Sequence, residues 1–493
     1  MSAANFCDEP SGRSSEPWLS EAAATVRAMA GKRAHDGPPI IDVVDRLDDA
    51  VVRRLLVTAA ESHEDVLRAT RLAAADDGDR LIVLRAAVDD RLRTRRHLDY
   101  WASSAWARDA APVVDALAAE TDARPSSELV DLLQRAAEHL VKVILRADDS
   151  NGMIGGLAAD VLDLHRRACA TGVAEPLGLA KWMVRFAFED QDFFMIDPVA
   201  YAPALGDAGL VAYRREVAKR SEPRSDDEES SPMLRALYAG FPSFAAKYAA
   251  ERLAVLDRDL DRIVELLGGD LSSPHQFTRV AEAMVEIDRG DDALAWARRG
   301  ITETSGWQVA KLYDLSAQIL DERRDLASVL DLRREQHRRM PTASSYSVLR
   351  RAADQVGAWA TEVDDARDVL GKFDQGGLVD VLLAEGESDA AWSLATSDAS
   401  WQPGADRWRR LAEAREPTDP AGALGVYLRL TEDALVDADR RNYQQAVKYL
   451  KAARRAASAA GLADEFIEYL TALREQHRRR PTLIQMLDKA KLP

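Results

Sequence analysis

Only two of the 493 residues are cysteine, Cys7 and Cys169, so a disulfide framework is excluded and a reducing compartment is expected. Aromatic residues make up just 6% against 47% hydrophobic, which leaves Ala, Leu and Val as the main apolar stock. That mixture suits closely approaching helices better than strands, which favour β-branched and aromatic side chains. Long apolar runs are missing, and the N-terminus has no basic segment followed by an apolar core. The chain is therefore expected to be cytoplasmic, with no membrane partner. Net positive charge is missing too: a formal −17 argues against coating nucleic acid or anionic lipid with the whole surface. Finally, there is no phosphate loop ending in Lys-Ser/Thr, no G-x-G-x-x-G, no H-E-x-x-H and no G-x-S-x-G. No catalytic residue, cofactor or metal is expected, and the chain reads as non-enzymatic.

A chain this long exceeds one ordinary hydrophobic core, so it should form several domains or a stack in which each unit packs on its neighbours. Residues 1–39, rich in Ser, Pro, Gly and charge, read as a disordered tail. Residues 40–220 read as an N-terminal helical domain. Near its start Leu47, Val51, Leu55 and Leu56 share a helical face, a break follows at Glu61 to His63, and Val66 and Leu72 belong to a second short helix. The spacing of Leu129, Leu132, Leu133, Ala136, Leu140, Val143 and Ile144 predicts a helix over 129–146. The DDSNG turn at 148–152 stops it, and Leu157, Val161, Leu164 and Ala168 continue on the next helix. Residues 221–232, SEPRSDDEESSP, are expected to be an acidic linker. Residues 233–493 are then a domain of tetratricopeptide-like (TPR-like) helical repeats.

The repeats show as echoes. Arg334 to Thr342 reads REQHRRMPT and Arg474 to Thr482 reads REQHRRRPT. In both, a basic cluster ends an apolar helix before a proline, placing cations at the negative end of the helix dipole. Arg289 to Ala297, RGDDALAWA, similarly aligns with Glu385 to Ser393, EGESDAAWS, on a Gly turn and a Trp. Helix-turn-helix repeats of this type have a period of ~34 residues; here the period is irregular. The predicted fold class is all-α, an irregular α-solenoid of stacked helical hairpins preceded by an N-terminal helical domain.

Several segments resemble the helical region of uncharacterised bacterial SWIM zinc-finger family proteins. They are DDSNG at 148–152, ALGDAGLVAYRREVAKR at 204–220, DLSSP at 270–274, DDALAWARRGI at 291–301, and the terminal NYQQAVKYL and LREQHRRRP. The zinc module of that family needs a Cys-x-Cys and a Cys-x-His pair, since Zn²⁺ takes about four N or S ligands. This chain has neither pair, so the zinc chemistry that the resemblance implies does not carry over.

Candidate sites are few. Setting Asn151-Gly152 at the fifth and sixth positions of a calcium loop puts Ala147 first and Ala158 twelfth, which removes two essential carboxylates and leaves a helix-ending turn. His165 and Cys169, four apart on a predicted helix, lack a second pair to complete a metal shell and are expected as a satisfied core histidine and a small buried thiol. FAFEDQDFFMIDP, Phe186 to Pro198, is read as a helix end whose aromatics enter the core rather than as a groove for a basic peptide. Basic and aromatic residues mix in RLRTRRHLDYW, Arg91 to Trp101, and in the last helices. Residues 441–493 hold eleven Lys and Arg against five Asp and Glu, leaving −23 for residues 1–440. Between Tyr443 and Ala457 the apolar side is Tyr443, Val447, Leu450 and Ala457, while Lys448, Lys451 and Arg455 share another; Arg478, Arg479 and Arg480 extend it into a basic interaction patch. At this overall charge a solvated face, or one docked on the chain's own acids, is favoured over one holding phosphates. The leading functional expectation is a scaffold that binds an unknown protein partner in the groove of stacked hairpins. The alternative is an accessory nucleic-acid-binding protein that uses the C-terminal patch.

Overall fold

The computed structural model describes residues 44–63, 66–67, 70, 74, 77–188, 191, 194–221, 243–397 and 401–492. The expected tail and almost all of the expected linker lie outside them. Among the described residues regular structure is helical throughout, relieved by one isolated parallel bridge between Leu98 and Ala147. The chain forms two compact units that divide between Leu266 and Leu267.

The first unit contains α1 (Asp49–Ser62), α2 (Asp77–Arg91), α3 (Tyr100–Ala123), α4 (Ser127–Ile144), α5 (Met153–Ala168), α6 (Pro176–Phe188), α7 (Ala202–Ser221), α8 (Phe244–Leu256) and α9 (Leu260–Ile263). Helix α4 packs on α2 and α5. Ser126 caps it by accepting from the Leu129 amide at 3.2 Å, and Leu129, Leu132, Leu133, Ala136, Leu140 and Val143 are buried as the spacing predicts. Helices α3 and α5 pack against α4 or each other, and the α6–α7 pair continues the same core. Helix α8 packs on α6 and α7. Residues 243–266 thus sit with the first unit, whereas the sequence reading begins the repeat domain at 233. Helix α1 begins at its Asp48 cap, but Leu55 and Leu56, expected on a packed face, are exposed.

The second unit is a run of antiparallel helices: α10 (Pro274–Glu286), α11 (Gly290–Glu303), α12 (Val309–Glu322), α13 (Leu326–Arg339), α14 (Ala343–Gln355), α15 (Trp359–Phe373), α16 (Gln375–Ala384), α17 (Ser388–Ser397), α18 (Ala405–Arg415), α19 (Pro420–Leu435), α20 (Arg440–Ala460), α21 (Ala463–Gln476) and α22 (Pro481–Lys489). Each as far as α20 packs on the next, and α10 on α12, α13 on α15, α14 on α16, α16 on α18 and α20 on α22 also touch within a layer. The fold is all-α, stacked hairpins of unequal length following an N-terminal helical unit, as the sequence predicts.

The repeat is written in the turns. Asp288, Arg324, Gly357, Gly386 and Gly461 each take a left-handed φ, between 58° and 81°. At each, the amide of the following residue donates back to a carbonyl five residues earlier: Arg289 to Met284, Asp325 to Leu320, Ala358 to Ala353, Glu387 to Leu382 and Leu462 to Ala457, all at 2.8–2.9 Å. These are Schellman closures, and the next helix starts two residues after the left-handed position. They correct the echo read from RGDDALAWA and EGESDAAWS. The true counterpart of Gly386 is Asp288, and Gly290 already lies in α11.

Candidate functional site

Helix α20 opens on Asp439, whose carboxylate accepts from the Arg441 amide at 2.7 Å, and buries Tyr443, Leu450 and Ala457. Lys448, Lys451 and Arg455 are exposed, as the spacing predicts. The Arg455 guanidinium, however, grips Glu416 through two hydrogen bonds of 2.8 and 2.9 Å. Glu416 also accepts from Tyr427 at 3.1 Å, and these contacts, Arg455 foremost, hold its carboxyl below the usual range. The rest of the expected patch lies elsewhere. Arg478, Arg479 and Arg480 occupy the turn between α21 and α22, where Arg478 pairs with Glu475 and Arg480 donates to the Leu435 carbonyl at 2.6 Å. Leu435 ends α19, beside the start of α20, whereas Arg455 lies about 22 Å along that helix at 1.5 Å per residue. The six cations therefore form two groups, Lys448, Lys451 and Arg455 along the middle and later turns of α20, and Arg478, Arg479 and Arg480 at the hairpin end near its start.

The duplicated REQHRR segments have a packing role. In the first copy Arg339 donates to the Thr304 carbonyl at the end of α11, at 2.8 Å. In the second, the residue just past the segment, Arg480, which stands where the first copy has Met340, does the same for the end of α19. Each ties a turn to the one two helices earlier and supplies a cation to a helix C-terminus. Arg334 grips Glu362 at 2.7 and 3.0 Å, and Arg474 donates to the Leu492 carbonyl at 2.8 Å.

Polar candidates in the first unit are likewise absorbed. Asp149 accepts from the Ile154 and Gly155 amides at 2.9 and 2.7 Å and so caps α5, while Asp148 accepts from Ser150 within the turn. His165 is fully buried with Cys169, whose Sγ is 3.6 Å from Nε2. One tautomer satisfies the ring: Gln134 donates to Nε2 at 3.2 Å and Nδ1–H donates to the Tyr201 hydroxyl at 2.8 Å. Burial pushes His165 down to about 3 and the Cys169 thiol up to about 12. A thiol so raised supplies no thiolate at neutral pH. Among the described residues no three His, Cys, Asp or Glu side chains are placed to hold a metal, and no helix is long and apolar enough to cross a membrane.

In the Phe186–Pro198 segment, Phe186 and Ile196 are buried and Asp197 makes two 2.8 Å bonds to Arg252. Residues 189, 190, 192 and 193 lie outside the described set.

What sequence reasoning did not isolate is a set of exposed apolar side chains on the turns of the second unit. Trp307 is 75% exposed between α11 and α12, Phe373 74% at the end of α15, and Val436 73% after α19. Since consecutive helices run antiparallel, alternate turns lie at one end of the stack, and these three occupy that end. The turn of Arg339 and that of Arg478, Arg479 and Arg480 lie at the same end, which thus carries both apolar and basic tips. The signal in the sequence is a large apolar residue beside Gly306, Asp374 and Asp437, visible only once the turns are known.

No family model and no curated protein matches the chain. Among solved structures it is similar to one described as a circular tandem repeat protein with novel repeat topology and enhanced subunit contact surfaces. The identity is 16% over 89% of this chain and 93% of that chain, with a TM-score of 0.17. On its own helices and turns, the chain belongs to the class of α-helical repeat proteins.

Proposed function

We propose that this chain is a non-enzymatic cytoplasmic scaffold whose second unit binds a protein partner through the hairpin end carrying Trp307, Phe373 and Val436. The carrying observation is the exposure of three large apolar residues at one end of the second unit, with Trp307 and Phe373 among the most exposed aromatics of the described residues. Aromatic residues on a surface are the usual anchors of protein interfaces. This replaces the groove expected from sequence with the hairpin ends. The alternative, nucleic-acid binding by the C-terminal patch, has less support, since Arg455 and Arg478 already have acidic partners and the patch divides in two. Kinship with the helical region of SWIM family proteins is proposed on the same footing: the shared segments supply the Asp149 cap, the Ser273 capping box and the close-packed Gly300.

The test is cross-linking of the native protein in its host, with nuclease, followed by mass spectrometry. A stoichiometric partner whose cross-links disappear in the double variant W307S/F373S, while the melting temperature is unchanged, is the expected result. Loss of all partners on nuclease treatment would favour the nucleic-acid alternative.

A further inference from the structure

Between the end of α2, the loop 92–99 and α4, the first unit holds a concave pocket of about 450 Å³, within the ~300–1,000 Å³ range of small-ligand sites. Arg93, Arg95, Lys142 and Arg146 line it. All four are exposed, and none has a carboxylate partner among the described residues. Cations on the adjoining helices do find acids: Arg135 pairs with Asp89, and Arg185 with Glu138.

The pocket's own acids are engaged. Asp89 accepts from Arg135 Nε at 2.6 Å and from His139 Nε2 at 3.1 Å, and the Arg135 bond holds its carboxyl down to about 2. Asp90 bonds Arg91 at 3.2 Å. The remaining field at the pocket is positive. The loop carrying Arg93 and Arg95 is also fixed in advance. Leu92 and Leu98 are buried at its ends, Leu98 N–H donates to the Arg146 carbonyl at 3.0 Å, and Asp148 N–H donates to the Leu98 carbonyl at 2.8 Å. A pre-set loop lowers the ordering cost of binding.

We propose that this pocket binds a small molecule bearing two or more phosphate groups. Three guanidinium forks and an ammonium offer far more N–H donors than one monoanion can accept, and planar forks match phosphate oxygens two at a time. A long polyanion is disfavoured because it would run over a chain of net charge −17. A small ligand meets only the local field, within a Debye length of about 8 Å at physiological salt.

The test is titration calorimetry of the full-length protein with inorganic tripolyphosphate and with ATP, beside a single-stranded DNA oligonucleotide. Tripolyphosphate is expected to bind, with affinity at least tenfold weaker in R93Q and in R146Q, partly restored in R93K, and unchanged in the K448Q/K451Q control. Equal affinity for ATP and tripolyphosphate means that the phosphate chain alone is read, and tighter ATP binding adds a nucleoside contact; both support the site. No tripolyphosphate binding, binding indifferent to R93Q and R146Q, or binding of the oligonucleotide alone would overturn it.

Discussion

Two buried histidines tie individual residues to measurable stability. His165 has its folded-state pKa lowered to about 3 by burial, against about 6.5 unfolded. A base whose pKa falls on folding binds fewer protons in the native state. Its contribution is therefore complete above pH 6.5 and is lost as pH falls from there towards 3. Between pH 6.5 and 5 the loss from this residue is about 2 kcal/mol, and H165Q should flatten that part of the stability–pH curve in urea denaturation. The duplicated motif offers a second comparison. His337 is buried, 2.9 Å from both Ser345 Oγ and the Ala366 carbonyl, whereas its counterpart His477 is half-buried. H337A should cost about 2–3 kcal/mol, because it strands a buried carbonyl and leaves a cavity. H477A should cost less than half as much; equal losses would mean that the two copies do the same work.

At the scale of helices and turns, left-handed positions set the repeat, and their cost depends on the residue present. Gly357 and Gly386 have open space around an added Cβ, so replacing either by Ala tests backbone strain alone and should lower stability by about 1 kcal/mol. Arg324 holds the same conformation without being glycine, and R324G should be neutral or stabilising by a few tenths. Gly300 is different. A Cβ there would stand 2.6 Å from Phe277 Cβ and 2.7 Å from Leu312 Cδ1, so G300A must push α10 and α12 from α11 and should cost about 2–3 kcal/mol in the same melts. Helix class, the α4–α5 hairpin and the basic helix ends were legible in the sequence because periodicity and proline report local geometry. The turn register was not: Asp288 and Arg324 carry no glycine signal, so the eye settles on Gly290. The basic patch was misplaced for a related reason. Helical spacing puts Lys448, Lys451 and Arg455 on one face, but nothing local shows that Glu416 reaches Arg455 or that Arg478, Arg479 and Arg480 lie at the hairpin end near the start of α20. The phosphate pocket joins Arg93 to Arg146 through a bridge at Leu98, a pairing that no periodicity encodes.

Within the second unit, stacking makes stability a matter of neighbours rather than of one shared core. Its apolar residues form two clusters, one running from Phe277 to Val381 and the other from Val379 to Leu492. Contacts such as that of Arg480 with Leu435 couple turns two helices apart. R480A removes this bond, which as a charge-assisted contact is worth about 1.5 kcal/mol. Amide exchange should then quicken roughly tenfold in the turns joining α19 to α20 and α21 to α22, while α10 through α13 keep their protection. Hydrogen-exchange mass spectrometry reads both regions in one experiment. Uniform acceleration from 267 to 492 would instead mark a single cooperative core, in which the hairpins are not independent steps of a stack.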